Sequence, residues 1–323
     1  MTIPLMLLTC LLPLQLGSDS TNEESVDFHM TTFQQYLDMD WEETFYDPCT
    51  ENWRECWTLD GLKASITHSE IGMDFISGPV RKENASHAVM WTQESFEGDI
   101  RLDYEYTKLD DAVEAVTILY LQATGSDAEG YDKDISLWAD QRETPTMAKY
   151  HDHMHLLHIS YAAFDIGNTD PDSDYIRARR YMPELPTGIA NTDLEPDYFR
   201  TDLFKKDVPH KITVIKKGND LFMHIRNSEE ELLCHWETDS VPPVIEGRIG
   251  LRHMWTRGAR YRNFRISQLP KHESEYDVST ESDTTESPEY ASPRAKVVCF
   301  GDSITKRGYT PIMGELLDVD TVM

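Results

Sequence analysis

The chain has 323 residues, of which 39% are hydrophobic, and its formal net charge is −28 at pH 7. Such an excess of negative charge excludes general nucleic-acid binding, because that binding relies on basic surface to displace counterions from phosphates. The length allows one large domain or two modest ones.

The chain begins with an apolar run. Hydrophobic residues dominate from Ile3 to Leu16 in MTIPLMLLTCLLPLQLGSDS, and the sequence then turns polar. The run is too short to span a bilayer and contains Pro4 and Pro13, so it predicts a signal peptide over residues 1–18, although no Lys or Arg precedes it. We therefore expect a secreted, periplasmic or cell-surface protein without a membrane span.

The next 240 or so residues, from about Phe28 to Leu269, read as strands and turns. Apolar residues alternate with charged ones in FEGDIRLDYEYTKL, the pattern of a half-buried strand. In KITVIKKGNDLFMHI, the residues Lys217 to Asp220 separate two β-rich runs and predict a hairpin. The run DDAVEAVTIL also reads as strand, although its Ala and Glu favour helix. Many short strands in one continuous domain predict a β-sandwich.

The cysteines indicate no zinc site and no extended disulfide framework. Of the five, Cys10 would leave with the signal peptide, and no CxxC spacing occurs. Cys49 and Cys56 are close enough in sequence to pair in an exported protein, whereas Cys234 and Cys299 lie in apolar runs and are expected to be buried thiols.

Residues 271–294 differ in composition from everything before them. KHESEYDVSTESDTTESPEYASPR is rich in Ser, Thr, Glu and Asp and has almost no aliphatic residues, which predicts an acidic disordered linker. After the linker, Val297 to Phe300 read as a buried strand, and Gly301-Asp302-Ser303 reads as a sharp turn before a helix. This arrangement can present a serine hydroxyl above a sheet.

Four stretches of the sandwich carry a family resemblance: FEGDIRLDYEY with ILYLQATG, then KYHDHMHLLHISYAAF, DYIRARRYMP, and the closing GRIGLRHMWTRGARYRNFRI. Together they resemble the concanavalin A-like lectin/glucanase superfamily, and within it the YesU-like family. The resemblance covers residues 28–269. It implies an all-β, two-sheet jelly roll whose concave face holds carbohydrate, without deciding between binding and cleavage.

The tail, residues 295–323, resembles the start of the SGNH (GDSL-type) hydrolases through FGDSIT, residues 300–305. The resemblance implies that Ser303 is the nucleophile. That family also needs an oxyanion-hole Gly and Asn from later blocks, and a His base preceded by an Asp three residues earlier. None of these follows, so we expect a truncated, incomplete α/β module in which Ser303 has no base.

The histidine-rich segment from Tyr150 to Tyr161, YHDHMHLLHISY, is the most unusual part of the sandwich. If it is a strand, His151, His153 and His155 point to one face. Three histidines could ligate a metal, but same-face neighbours about 7 Å apart reach one ion only with strain. They could equally line a polar sheet face or be hydrogen-bonded in the core. We predict no metal site and no cofactor, and a structural calcium ion stays an open question.

A catalytic interpretation joins these histidines to nearby tyrosines and arginines. Cleavage of a uronic-acid polymer by β-elimination needs a base, an acid and a group that offsets the carboxylate charge. The set available is His151, His153 and His155 with Tyr150 and Tyr161 as base and acid, and Arg177, Arg179 and Arg180 as carboxylate partners. The arginines could instead form a surface ion-pair network.

The leading hypothesis is therefore a lyase that acts on an anionic polysaccharide. A glycosidase is less favoured, because no E-x-D-x-x-E strand occurs to supply two flanking carboxylates. Two alternatives stay open. One is a non-catalytic glycan-binding module with an aromatic platform such as Trp138, and the other is a fragment of a bimodular carbohydrate esterase with Ser303 as nucleophile.

Overall fold

The computed structural model describes residues 20–270 apart from Pro186, and two short strands beyond them. The chain divides into two compact units, Met1–Lys271 and His272–Met323, and each is described by itself. The predicted signal peptide, the linker over 271–294, and both Cys299 and Ser303 lie outside the described residues.

Two antiparallel eight-stranded sheets make up the first unit. The strands are, in chain order, β1 (Glu42–Asp47), β2 (Trp57–Asp60), β3 (Ser65–Ser69), β4 (Gly72–Ile76), β5 (Ala88–Thr92), β6 (Phe96–Glu97), β7 (Ile100–Lys108), β8 (Ala115–Gly125), β9 (Met154–Phe164), β10 (Tyr175–Tyr181), β11 (Asp193–Phe199), β12 (Pro209–Lys217), β13 (Asp220–Arg226), β14 (Glu231–Glu237), β15 (Glu246–His253) and β16 (Gly258–Gln268). Sheet A has the order β14-β13-β12-β7-β16-β4-β3, with β1 also on β16. Sheet B has the order β11-β10-β9-β8-β15-β5-β2, with β6 also on β15.

The alternating sequence pattern forms the strands that it predicts. In β7 the odd positions from the first residue are buried and the even ones are partly exposed. The run that contains DDAVEAVTIL becomes strand β8, because its Val, Ile and Leu side chains can be buried on both faces of a central strand. The predicted hairpin is also confirmed: Lys217 pairs with Asp220, and Gly218 takes φ +56° in the tight turn between them.

The main hydrophobic core lies between the two sheets. Sheet B contributes Leu157, Ile159 and Tyr161 from β9, and sheet A contributes residues such as Tyr106 and Tyr261. The rings of Tyr161 and Tyr106 meet edge to face at 5.1 Å between centroids. Tyr161 therefore points into the core and not toward a sheet surface, which corrects its prediction as a catalytic acid.

A helix that the sequence reading missed precedes the sandwich. Helix α1 runs from Ser20 to Leu37, where we expected strands from residue 28 onward. Phe33 is buried against Phe222 and Ile215 on the face of sheet A that points away from the core. Met30, Tyr36 and Leu37 pack against the same cluster, so the apolar residues of α1 follow the spacing of one helix face.

A second departure from the prediction lies between β8 and β9. The connecting segment contains a 3-10 helix, Ile135–Arg142, and a short helix α2, Met147–His151. Strand β9 begins only at Met154. His151 and His153 are therefore not on a strand, and the predicted row of three histidines on one strand face is wrong.

The cysteines with described side chains are all reduced. Cys49 and Cys234 are buried thiols, and Cys56 is half-buried. The predicted pairing of Cys49 with Cys56 is not formed, whereas the buried thiol at Cys234 is confirmed. Within the part of the chain that the structure describes, no helix is long and apolar enough to cross a bilayer.

In the second unit, two strands are described. They are β17 (Lys296–Val298) and β18 (Asp320–Val322), and they pair in parallel. Strand β17 falls where the sequence predicts the strand before the Gly-Asp-Ser turn.

Candidate functional site

The outer face of sheet B, the face turned away from the core, carries a row of polar side chains on β9 and β10. On β9 the core positions alternate with His158 and Ser160, which are on the outer face. On β10 the outer positions include Arg177 and Arg179, so these two arginines share a face as the sequence predicts. The strand register sets Arg177 opposite Ser160 and Arg179 opposite His158. We call His158, Ser160, Arg177, Arg179 and Tyr181 the polar row.

His158 forms the centre of the polar row. Its Nδ1 lies 2.6 Å from the Tyr181 hydroxyl and its Nε2 lies 2.5 Å from the Ser160 hydroxyl. Burial lowers the pKa of His158 well below its ordinary value, and the nearby Arg179, Arg252 and Arg177 lower it further. The imidazole is therefore neutral at neutral pH, and both of its nitrogens are already engaged.

Arg177 and Arg179 are paired with carboxylates of β11. The Arg177 Nε donates to both oxygens of Asp197, at 2.9 and 2.8 Å. The Arg179 Nη2 lies 2.8 Å from an oxygen of Asp193, whose side chain is 40% exposed. These arginines belong to an ion-pair network, one of the two interpretations left open by the sequence. Their charge is thus already balanced by the protein.

The other half of the outer face is closed by the segment between β8 and β9. The carboxylate of Asp60 accepts hydrogen bonds from Trp91 Nε1 at 2.7 Å, Arg142 Nε at 2.6 Å and the Tyr150 hydroxyl at 2.9 Å. Gly250 allows the Trp91 ring to lie directly on β15, since a Cβ there would sit 2.4 Å from that ring.

Two predicted site residues belong to this closed half. Tyr150 has no exposed surface, and burial and the Asp60 carboxylate raise the pKa of its hydroxyl well above the ordinary value. Trp138 is 3% exposed, its indole Nε1 donates to the Asp132 carbonyl, and Arg142 stacks on its ring. Neither residue can contact a ligand in this structure, so Tyr150 as acid–base and Trp138 as sugar platform are corrected.

Arg252 is a buried cation that the sequence reading did not single out. Its Nη2 contacts His87 Nδ1 at 2.6 Å and donates to the Pro145 carbonyl at 2.7 Å. Among the described residues, its Nε and Nη1 have no hydrogen-bond partner, and neither does the hydroxyl of Tyr120. Buried donors of this kind usually hold ordered water.

The three predicted histidines lie in different environments. His151 ends α2, and its ring lies edge to face with Tyr181 at 6.1 Å. His153 stacks on Tyr131, with ring centroids 3.6 Å apart. His155 is on β9 but faces a different surface from the polar row. Within the described ranges, no three His, Cys, Asp or Glu side chains lie close enough together to hold a metal ion.

His155 and Arg180 meet in a cleft at one end of the sandwich. There β8 ends, β9 begins and β10 ends, and the connection from β14 to β15 forms the opposite wall. The cleft has a volume of about 350 Å³. The ionisable residues of its lining are Asp127, Lys133, His155, Arg180, Glu184 and Glu246. We call it the end cleft. The structure thus separates the predicted arginines, with Arg177 and Arg179 in the polar row and Arg180 in this cleft.

Sequence reasoning missed the residues at the centre of the polar row. His158 and Ser160 are two positions apart and alternate with apolar Leu157 and Ile159, which is the signal that could have found them. The more conspicuous His-x-His-x-His pattern, residues 151–155, comes just before this pair in the sequence, and the prediction was based on that pattern instead.

Comparison with known proteins identifies the fold. No protein-family model matches the sequence, and no curated protein matches it either. Among solved structures, a Bacillus subtilis protein of unknown function with a galectin-like fold is 18% identical, and the alignment covers 71% of this chain and 100% of that one with a TM-score of 0.51.

Two further structures have lower scores. The exoplasmic/lumenal domain of VIP36, in its Ca²⁺/Man₃GlcNAc-bound form, is 10% identical with a TM-score of 0.48, covering 73% of this chain and 93% of that one. The carbohydrate-binding module CBM66 from Bacillus subtilis is 13% identical with a TM-score of 0.39, covering 66% and 95%. The chain thus has a galectin-like, concanavalin-like lectin fold, and the predicted jelly-roll sandwich is confirmed. Membership of the YesU-like family stays a prediction, as does the SGNH resemblance of the tail.

Proposed function

We propose that the sandwich is a carbohydrate-binding module that holds a glycan on the partly exposed Arg177 and Arg179 of the polar row and on the neighbouring carboxylates of β11, with His158, Ser160 and Tyr181 buried beneath them. The observation that carries this proposal is the pairing of Arg179 with Asp193. A sugar hydroxyl both donates and accepts. The Asp193 side chain is 40% exposed and that of Arg179 14%, so the pair offers carboxylate lone pairs beside the remaining N–H donors of the guanidinium. Because both side chains project from paired strands, the groups are oriented before the sugar arrives.

Beta-elimination, the mechanism that the sequence favoured, has less support than binding. A lyase at the polar row needs a cation that is free to offset the substrate carboxylate, but the two arginines there, Arg177 and Arg179, are already ion-paired. It also needs an accessible acid and base. Tyr150 and Tyr161 are fully buried, and both nitrogens of His158 are engaged. The esterase alternative rests on Ser303, which lies outside the described residues.

Binding of the full chain to a panel of neutral and acidic oligosaccharides tests the proposal, with affinities measured by titration calorimetry. Replacing Arg179→Ala should weaken binding of any hit by about tenfold or more, since hydrogen bonds to charged groups contribute about 1.5–3 kcal/mol. Arg260→Ala is the matched control, because Arg260 forms a similar partly exposed pair with Asp74 on sheet A, at 2.6 Å. It should leave the affinity unchanged.

Two outcomes would overturn this proposal. One is an absence of binding to every glycan of the panel. The other is equal affinity for the wild type and Arg179→Ala. Ultraviolet absorbance recorded in the same samples discriminates the mechanisms, because only β-elimination produces an unsaturated uronate. A rise of that absorbance would restore the lyase hypothesis.

A further inference from the structure

Arg180 is a buried cation that no carboxylate balances directly. It is 3% exposed, and it lines the end cleft. Its Nε donates to the carbonyl of Pro242 at 2.9 Å, and its Nη1 donates to the carbonyl of Tyr181. These carbonyls fix the guanidinium plane but carry no net charge. Among the described residues, no acidic side chain lies within ion-pair distance of it.

The groups that act on Arg180 and His155 include both cations and a carboxylate. Burial lowers the pKa of Arg180 to about 10, and Glu184 opposes this change. Burial also lowers the pKa of His155, and the charge of Arg180 lowers it further. Lys133 lowers this pKa as well, whereas Glu184 raises it. At neutral pH the lining of the cleft thus holds two cations, Arg180 and Lys133, beside a neutral His155 imidazole, and three carboxylates, Asp127, Glu184 and Glu246.

His155 offers a free hydrogen-bonding position in this cleft. Its Nδ1 is buried, has no hydrogen-bond partner among the described residues, and lies 3.8 Å from an oxygen of Glu184. The Glu184 side chain itself is 54% exposed. A carboxylate that approached from the cleft would meet both the Arg180 fork and this ring nitrogen. Glu184 would then be a competitor for the same groups.

We propose that the end cleft binds a carboxylate group through Arg180, with Lys133 and His155 beside it. The volume of about 350 Å³ lies at the lower end of the range for small-molecule pockets, which suits one acidic sugar or a small organic acid. This site is separate from the polar row and does not depend on the proposed glycan binding there. The proposed ligand of the end cleft carries a carboxylate, which the glycan proposed for the polar row need not have.

Titration of the full chain with galacturonic acid, galactose and acetate tests this site. Galacturonic acid and galactose differ by the carboxylate, and acetate is the free carboxylate. We expect galacturonic acid to bind and galactose not to bind, with affinity that falls as salt is added. Acetate binding as tightly as galacturonic acid would support the site with a free organic acid as its ligand. No binding of galacturonic acid would overturn the proposal, and so would equal affinity for galactose and galacturonic acid that Lys133→Gln leaves unchanged.

Variants separate recognition from a structural role. Glu184→Gln should tighten galacturonic acid binding by about threefold or more, because it removes a competing charge near the ligand. Lys133→Gln should weaken binding by a similar factor. Arg180→Lys should weaken it by about tenfold, because the two-pronged contact is lost. The matched control is Lys206→Gln at the opposite end of the sandwich, where Lys206 pairs with Asp111 at 2.5 Å.

The surface variants keep the proposal falsifiable even if Arg180→Lys fails to fold. Unchanged affinity in both Glu184→Gln and Lys133→Gln would overturn it. Lys133→Gln and Glu184→Gln alter only the end cleft, whereas Arg179→Ala alters only the polar row, so the set of variants assigns each binding event to its site. The two sites can therefore fail independently.

Discussion

Asp60 shows how a single residue can organise the closed half of sheet B. Its carboxylate accepts three hydrogen bonds, from Trp91, Arg142 and Tyr150, and all four side chains are buried. Removing one partner from a buried ion pair leaves the other charge uncompensated, and this costs far more than the loss of a surface pair.

We expect Asp60→Asn to lower the free energy of unfolding by about 3–5 kcal/mol, because Arg142 would remain buried without a counter-charge. Equilibrium unfolding in urea measures the change. Asp74→Asn is the matched control, since its partner Arg260 is partly exposed, and it should cost less than about 1 kcal/mol. Equal losses in the two variants would contradict this account.

At the residue scale, the sequence predicts side-chain direction better than side-chain partners. The alternation in YIRARRY correctly sets Arg177 and Arg179 on one face. It cannot reveal that Asp193 and Asp197 neutralise them, because that depends on the pairing of β10 with β11. Nor could spacing show that Arg180 reaches the end of the sandwich, since that depends on where β10 ends.

At the element scale, each sheet has one outer face that is partly covered. Helix α1 covers part of sheet A, and the segment with α2 covers half of sheet B. Helix α2 has only 5 residues, and α1, with 18, makes its apolar contacts with β12 and β13, which are distant in sequence. A local pattern therefore predicts the strands, whereas tertiary packing decides these helices.

Helix α1 offers a direct test of that dependence. Phe33→Ala removes its buried contact with Phe222, so we expect faster hydrogen exchange in residues 28–37 while β12 and β13 stay protected. Phe28→Ala is the control on the same helix, because Phe28 is 67% exposed. Similar exchange in the two variants would show that Phe33 does not hold the helix.

At the scale of the whole molecule, the buried histidines make stability depend on pH. Burial, with the charge of a neighbouring arginine, lowers the pKa of both His87 and His253 to about 3. Burial and three nearby arginines also lower the pKa of His158 well below its ordinary value. In the unfolded chain these histidines bind protons near pH 6.5, whereas in the folded chain they stay neutral to a much lower pH. Their contribution to the free energy of unfolding is therefore fully present above about pH 6.5 and is lost as the pH falls toward 3.

We expect the free energy of unfolding to fall between pH 7 and pH 5, with each histidine contributing up to about 1.4 kcal/mol per pH unit below its unfolded pKa. Urea unfolding at pH 7, 6 and 5 measures it. His253→Gln isolates one group, because it removes one imidazole that becomes protonated on unfolding and leaves the other charged groups in place. Parallel curves for the wild type and this variant would refute the assignment.

The fold as a whole is the level at which sequence and structure agree best. Strands such as FEGDIRLDYEY, in which alternate residues are buried, predict a two-sheet sandwich. This prediction does not depend on which elements cover the outer faces of the sheets. Most of the site was not predictable in the same way. The histidine-rich segment carries no signal that distinguishes a strand from a short helix followed by a strand, and β9 begins three residues after His151.

The pairing of β1 with β16 has a consequence for the order of the chain. Glu42 lies opposite Gln268, so the first and last strands of the sandwich are neighbours in sheet A. A short bridge could join them, and the turn at Gly218 and Asn219 could be opened to supply new termini. Such a circular permutant would keep every interstrand pair of both sheets. The same two sheets can thus form from a chain whose termini lie at a different turn of the sandwich.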